Sequence, residues 1–103
     1  GRRHGTILTA EGRKIIRDKK HERCFEPMEP GCTCYACQNY SAAYVRHLFK
    51  AGEMFGMRLC TWHNIHFLLN LMEQVRNAIA QDCLRDFRDE FFSKYEGARY
   101  NIH

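Results

Sequence analysis

The chain has 103 residues, of which 45% are hydrophobic and 27% charged, a composition that excludes a disordered or fibrous protein and allows one globular domain at most. Its 16 basic and 12 acidic side chains give a net charge of +4, which permits contact with nucleic acid but does not require it. No apolar run approaches the length of a membrane span and no signal peptide opens the chain, so we expect a cytoplasmic protein without a membrane partner.

A β-hairpin over residues 5–17 is the first predicted element. The β-prone run Thr6–Thr9 forms its first strand, Ala10–Gly12 its turn and Arg13–Arg17 its second strand. Basic side chains concentrate in and around this hairpin: Arg2, Arg3, Arg13, Lys14, Arg17, Lys19, Lys20 and Arg23. Such a concentration is typical of a solvated basic face and also of a surface that contacts nucleic acid.

Helices are predicted for most of the chain after residue 37. Ser41 is a suitable N-cap for the first of them, and its apolar face consists of Tyr44, Val45, Leu48 and Phe49. Gly52 and Gly56 lower helix propensity, so we expect an interruption at Glu53–Arg58.

Two further helices are predicted beyond this interruption. Thr61 is a reasonable cap for the longer one, which carries a continuous apolar stripe: Ile65, Leu68, Leu69, Met72, Val75 and Ile79. Asp82 is expected to cap a last helix, and its inner face consists of Leu84, Phe87, Phe91 and Tyr95. We interpret both stripes as core faces, because apolar residues at helical spacing are usually buried.

Six cysteines are distributed unevenly along the chain. Cys32, Cys34 and Cys37 lie within six residues, and this clustering suits a metal-binding loop better than a set of disulfides. The remaining cysteines are scattered and are expected to be inert thiols: Cys24, Cys60 and Cys83. The sequence therefore predicts a reduced protein with one thiolate cluster.

Zinc is the metal that this thiolate cluster favours, in a tetrahedral set completed by one more thiolate or imidazole. The candidates for the fourth ligand are His47, Cys60, His63 and His66. His63 and His66 lie three residues apart on one helix, and their spacing puts His63 only slightly ahead. A zinc ion with three thiolate ligands is a poor Lewis acid, so we expect one structural ion per chain and no catalysis at the metal.

Two motifs carry a resemblance to a known family. The stretch CTCYACQNYSAAYVRHLF begins at Cys32, and TWHNIHF begins at Thr61. Together they closely resemble bacterial tRNA-guanine transglycosylase, also called queuine tRNA-ribosyltransferase, and the likeness runs from Arg3 to the last helix. The resemblance implies a complete set of zinc ligands: Cys32, Cys34, Cys37 and His63. It thereby selects His63 over His66.

The fold that the resemblance implies is α/β: the C-terminal portion of a TIM (β/α)8 barrel with its zinc-binding subdomain. Within residues 1–103 we expect a mostly α-helical chain, with an N-terminal β-hairpin at 5–17 and the zinc loop and helices at 27–97.

Enzymes of this family form homodimers and exchange a guanine in the tRNA anticodon loop for a deazaguanine precursor of queuosine. They do so through a covalent intermediate on an aspartate. That transferase activity would belong to the full-length protein, because no aspartate here matches the nucleophile: Asp18, Asp82, Asp86 and Asp89.

An RNA contact follows from the same resemblance. Arg3 matches an arginine in the anticodon-loop contact region, so a tRNA contact is expected there. The start at Gly1, which is not methionine, suggests a piece of a longer protein, and the end at His103 favours the bacterial type.

The alternative to an enzyme fragment is a free-standing structural zinc module that binds nucleic acid or protein. A hairpin without a partner sheet favours the enzyme fragment, because two strands alone are marginally stable.

Overall fold

The structure is a computed structural model that describes residues 5–102, with the backbone alone for residues 96–102. Two strands, β1 (Thr6–Thr9) and β2 (Gly12–Ile15), precede a short 3-10 helix (Lys19–His21). Four α-helices follow: α1 (Tyr35–Asn39), α2 (Ala42–Lys50), α3 (Met54–Ala80) and α4 (Leu84–Ile102). The prediction of a mostly helical chain with an N-terminal hairpin is therefore confirmed. Within the described range, no helix has both the length and the apolarity to cross a membrane.

The hairpin is antiparallel and tighter than the sequence suggested. Gly12 already pairs with Thr9, so the turn is one residue shorter than predicted. Gly5 stands just before β1 with a φ of +65°, and its carbonyl accepts a hydrogen bond from Ile16 N at 3.0 Å. A Cβ at this position would collide with the Ile16 side chain. Both the backbone conformation and the lack of space therefore require glycine there.

The core lies where α2 and the first half of α3 pack against the hairpin and the loop before α1. Its buried apolar members include Ile7, Ile16, Met28, Ala36, Ala42, Val45, Leu48 and Leu59. The apolar face predicted for α2 is buried at Val45 and Leu48, whereas Tyr44 is 42% exposed. The N-cap prediction is confirmed, because Ser41 Oγ accepts a hydrogen bond from Tyr44 N at 3.1 Å.

The turn between α2 and α3 is a Schellman motif. Gly52 adopts a φ of +73° and donates its N–H to Phe49 O at 3.1 Å, while Glu53 N donates to Leu48 O at 2.9 Å. Helix α3 begins directly afterwards at Met54. The reversal is therefore confined to three residues.

This early start of α3 corrects two predictions. The expected interruption lies at Ala51–Glu53, so its placement at Glu53–Arg58 is wrong, and Thr61 lies inside the helix and does not cap it. Gly56 costs about 1 kcal/mol of helix propensity but allows close packing of α2 on α3. A Cβ on Gly56 would lie 3.0 Å from Leu48 Cβ, which is too near for an ordinary contact. The glycine that predicted a break thus marks a helix crossing.

A second Schellman motif ends α3. Asp82 adopts a left-handed φ of +57° and donates its N–H to Ile79 O at 3.0 Å, and Cys83 N donates to Ala78 O at 2.8 Å. Cys83 directly precedes α4, and its carbonyl accepts the first helical bond from Phe87 N. The prediction that Asp82 caps the last helix is therefore wrong, because Asp82 completes the end of the preceding one.

The predicted core stripe on the second half of α3 is exposed, so this prediction is wrong for the described chain. Five of its side chains have 46% to 61% of their surface accessible: Ile65, Leu68, Leu69, Met72 and Ile79. No element within residues 5–102 covers this face. The stripe on α4 is only partly covered: Leu84 is 42% exposed, whereas Phe87, Phe91 and Tyr95 are half-buried and stack on one another.

Candidate metal centre

Three cysteine side chains converge at the start of α1. Cys34 is the N-cap of this helix, and its Sγ accepts a hydrogen bond from Cys37 N at 3.3 Å. Cys32 Sγ accepts one from Cys34 N at 3.4 Å. Gly31 precedes the loop with a φ of +88°, a conformation that reverses the backbone there. Backbone N–H groups thus point at the sulfurs of Cys32 and Cys34.

The fourth donor comes from α3. His63 has no exposed surface, and its Nδ1 lies 3.5 Å from the Sγ of each of the three cysteines. All four donor atoms lie within 4.8 Å of one another. Tetrahedral zinc, with bonds of about 2.3 Å to sulfur and about 2.0–2.1 Å to nitrogen, requires sulfur–nitrogen separations of about 3.6 Å. The donor geometry therefore fits a single tetrahedral ion.

The imidazole of His63 is oriented from its other nitrogen. His63 Nε2 lies 2.8 Å from Leu8 O, a carbonyl that can only accept a hydrogen bond. Nε2 must therefore carry the proton, which leaves the Nδ1 lone pair directed at the sulfurs. Glu29 Oε1 lies 3.5 Å from the same Nε2, and Glu29 Oε2 accepts a hydrogen bond from Ala10 N at 2.9 Å. The pattern of donors around the ring is that of a metal-binding histidine.

Burial raises the pKa of the Cys32 and Cys37 thiols, because a thiolate shielded from water is costly without a nearby positive charge. A divalent cation among the sulfurs would supply that charge and displace the thiol protons. Of the described residues, the cluster Cys32, Cys34, Cys37 and His63 is the one that could hold a metal ion. We call these four residues the Cys3His cluster.

The other candidates for the fourth ligand lie outside the Cys3His cluster. His47 is exposed on α2, and His66 Nε2 lies 3.2 Å from Thr33 Oγ1. Cys60 is buried among apolar side chains, and burial raises its pKa to about 12, so it is an unreactive thiol.

Arg3, the expected tRNA contact, lies outside the described residues.

Sequence reasoning missed the residues that support the cluster. Glu29 contacts the ring of His63 and the hairpin turn, yet nothing in its local pattern indicates this. Asn64 follows His63 in the TWHN stretch, and its side-chain amide bonds to the backbone of β1. That adjacency was the available signal, since a polar residue beside a ligand on the same helix often contacts what the ligand contacts.

His21 is a second unusual histidine, outside the Cys3His cluster. Its Nε2 is buried without a hydrogen-bond partner in the described part of the chain. Its pKa is lowered, first by burial and then by nearby positive charges, against one opposing carboxylate: Lys14, Lys20 and Arg46 against Asp18. The folded chain therefore resists protonation of His21, whereas the unfolded chain takes up the proton below a pH of about 6.5. Stability from this residue is present above that pH and is lost as the pH falls from 6.5 towards the lower folded-state pKa.

We expect His21→Phe to reduce the loss of stability between pH 7.5 and pH 5.5, because phenylalanine does not titrate. Urea unfolding midpoints at the two pH values measure this loss. His47→Gln, which changes an exposed histidine, is the matched control and should follow the wild type. The Cys3His cluster is the same in all three proteins, so the difference between them reports His21. Identical pH dependence in all three would contradict the assignment.

Comparison with known proteins gives consistent matches. The family described as queuine tRNA-ribosyltransferase matches residues 2–97. The queuine tRNA-ribosyltransferase of Ruminiclostridium cellulolyticum is 60% identical over 93 residues, which are 90% of this chain and 25% of that protein. Those of Acetivibrio thermocellus and Lysinibacillus sphaericus are each 58% identical over 93 residues, with 25% and 24% of their lengths covered. The chain thus spans about a quarter of the length of these relatives.

Proposed function

The chain belongs to the queuine tRNA-ribosyltransferase family, and from this we propose that it is the C-terminal zinc-binding part of a tRNA-guanine transglycosylase. The complete enzyme would exchange a guanine in the tRNA anticodon loop for a deazaguanine precursor of queuosine. In this proposal residues 1–103 form one unit, with the hairpin at 5–17 and the zinc loop and helices at 27–97. The catalytic aspartates belong to the remainder of the enzyme, and the chain by itself is inactive.

The convergence of the Cys3His cluster is the observation that carries the proposal. Three sulfurs lie at one distance, 3.5 Å, from a single imidazole nitrogen whose tautomer leaves it free to bind a metal. Cys32, Cys34, Cys37 and His63 would hold one zinc ion, and the ion would supply a cross-link between the loop before α1 and helix α3. A set of four protein ligands fills the tetrahedron, which is the arrangement of a structural site.

The exposed stripe on α3 supports a part of a larger fold over a free-standing module. A finished domain of this size rarely leaves so many large apolar side chains in a row uncovered. We propose that the rest of the enzyme, a TIM barrel, covers this stripe.

The expected homodimer has a suitable surface beside the metal loop, where Tyr35, Tyr44 and Trp62 are 53%, 42% and 42% exposed. The tRNA contact at Arg3 is part of the same proposal.

Elemental analysis of the purified chain tests the metal part of the proposal. We expect about one zinc ion per chain in the wild type and in His66→Ala, and a much lower content in His63→Ala. His66 is a matched control because it lies on the same helix and outside the Cys3His cluster. Full zinc retention in His63→Ala would contradict the ligand set.

The enzymatic part has its own test. The full-length protein that contains this chain should incorporate labelled guanine into tRNA, and the 103-residue chain alone should not. Failure of the full-length wild type to exchange guanine would overturn the assigned reaction, whatever the zinc content of the chain.

A further inference from the structure

Strand β1 has hydrogen-bond partners on both of its edges, although the sheet contains two strands. Strand β2 occupies one edge. On the other edge, Asn64 Oδ1 accepts a hydrogen bond from Leu8 N at 2.9 Å, and Asn64 Nδ2 donates to Thr6 O at 3.0 Å. His63 Nε2 donates to Leu8 O at 2.8 Å. Two consecutive side chains of α3 thus take the place of a third strand.

The antiparallel pattern explains why these backbone groups are available. Gly5 O accepts a hydrogen bond from Ile16 N, so the backbone polar groups of Gly5 are directed towards the second strand of the hairpin. Alternate residues of an antiparallel strand direct their N–H and C=O groups to opposite edges, and Thr6 and Leu8 therefore direct theirs away from β2. A side-chain amide offers N–H donors and a carbonyl acceptor in one planar group, which matches what such an edge requires.

We infer that His63 and Asn64 form a clamp that couples metal binding to the position of β1, with Asn64 as its positioning residue. The inference rests on the proposed zinc site. A metal ion on His63 Nδ1 fixes the ring and polarises the Nε2–H that holds Leu8 O. Asn64 fixes Leu8 as well, because its Oδ1 accepts a hydrogen bond from the backbone N–H of Leu8. Occupancy of the Cys3His cluster and docking of the hairpin on α3 therefore support each other.

Thermodynamic reciprocity gives the clamp a measurable consequence. If metal binding strengthens the contact of β1 with α3, then loss of that contact weakens metal binding by the same factor. Loss of an outer partner of a metal-binding histidine typically weakens metal affinity by about 10- to 100-fold. Since Asn64 holds the Leu8 carbonyl in place and does not replace it, we expect a loss near the lower limit, on the order of tenfold.

Two variants of Asn64 separate its hydrogen bonds. Asn64→Leu keeps the branching at Cγ and removes both bonds, whereas Asn64→Asp keeps the acceptor for Leu8 N and loses the donor to Thr6 O. Asn77→Leu is the matched control, because Asn77 is an exposed asparagine on the same helix. The readouts are the zinc dissociation constant by chelator competition and amide hydrogen exchange at Leu8 in the zinc-loaded proteins. Exchange at Val45, a buried core residue, reports global unfolding.

We expect Asn64→Leu to bind zinc about tenfold more weakly and to lose protection at Leu8 while Val45 stays protected. Asn64→Asp should retain protection at Leu8, and Asn77→Leu should match the wild type. Unchanged zinc affinity in Asn64→Leu would overturn the inference, as would retained protection at Leu8. If Asn64→Leu unfolds, Asn64→Asp decides: zinc affinity and protection at Leu8 should both stay near their wild-type values, and a loss of one without the other would overturn the clamp. A wild type that binds no zinc would instead overturn the proposed metal site.

Discussion

Replacing Cys37 by serine is expected to abolish stable zinc binding and to unfold most of the chain at neutral pH. Cys37 is 5% exposed, and its Sγ lies 3.5 Å from His63 Nδ1, so serine would remove a buried sulfur from the Cys3His cluster with little change in volume. Structural zinc contributes about 10–16 kcal/mol of apparent binding free energy in small zinc-dependent folds at neutral pH. Small domains have a total stability of only about 5–15 kcal/mol. The metal term is therefore large enough to decide whether this chain folds.

Circular dichroism and urea unfolding of the reduced protein measure this effect. Cys83→Ser is the matched control, since Cys83 is half-buried and outside the Cys3His cluster, and it should keep its zinc and its unfolding transition. Addition of a strong chelator to the wild type should reproduce the behaviour of Cys37→Ser. A cooperative transition in Cys37→Ser at the wild-type urea midpoint would show that the fold does not depend on the metal.

Leu59→Ala is expected to destabilise the zinc-loaded chain by about 2–5 kcal/mol, the usual range for a fully buried leucine. Leu59 has no exposed surface and lies in the core cluster, one helical turn before His63. Its removal would leave a cavity in this core, because the surrounding close-packed side chains relax only partly. Urea unfolding at saturating zinc gives the change in free energy directly.

The same helix supplies the control for this substitution. Leu69 is 61% exposed, so Leu69→Ala removes the same atoms at the same helix propensity without opening a core cavity. We expect a change within about 0.5 kcal/mol for this variant. Similar losses for the two leucines would show that the second half of α3 is covered in the isolated chain, contrary to the structure.

The candidate metal centre was predictable because most of its information is local. Three ligands fall within six residues, and a glycine reverses the backbone before them. The choice of His63 over His66 was different, since both lie three residues apart on one helix and spacing barely separates them. Motif resemblance made that choice, and the geometry agrees with it, because His66 is directed at Thr33 and His63 at the sulfurs.

The helix limits were less predictable because capping and packing depend on partners distant in sequence. Ser41 was recognisable from its own side chain, but Asp82 was assigned to the wrong helix, since only its left-handed backbone shows that it ends α3. Gly56 was interpreted as a breaker from its propensity, whereas close contact with α2 keeps it inside α3. The apolar stripe of α3 was assigned to the core because periodicity indicates that a face is to be buried without showing what buries it.

The spacing of the α3 stripe also constrains the geometry of whatever helix packs along it. Ile65, Leu68, Met72, Val75 and Ile79 are separated by three, four, three and four residues, a repeat of 3.5. A straight α-helix has 3.6 residues per turn, so a line through these side chains drifts by about 20° per seven residues in a left-handed sense. A helix in continuous contact with the whole stripe would therefore cross α3 at about +20°, whereas one at −50° would touch it only near a single turn. The order of apolar residues in α3 thus favours a neighbouring helix that runs along it at a small crossing angle and contacts it over several turns.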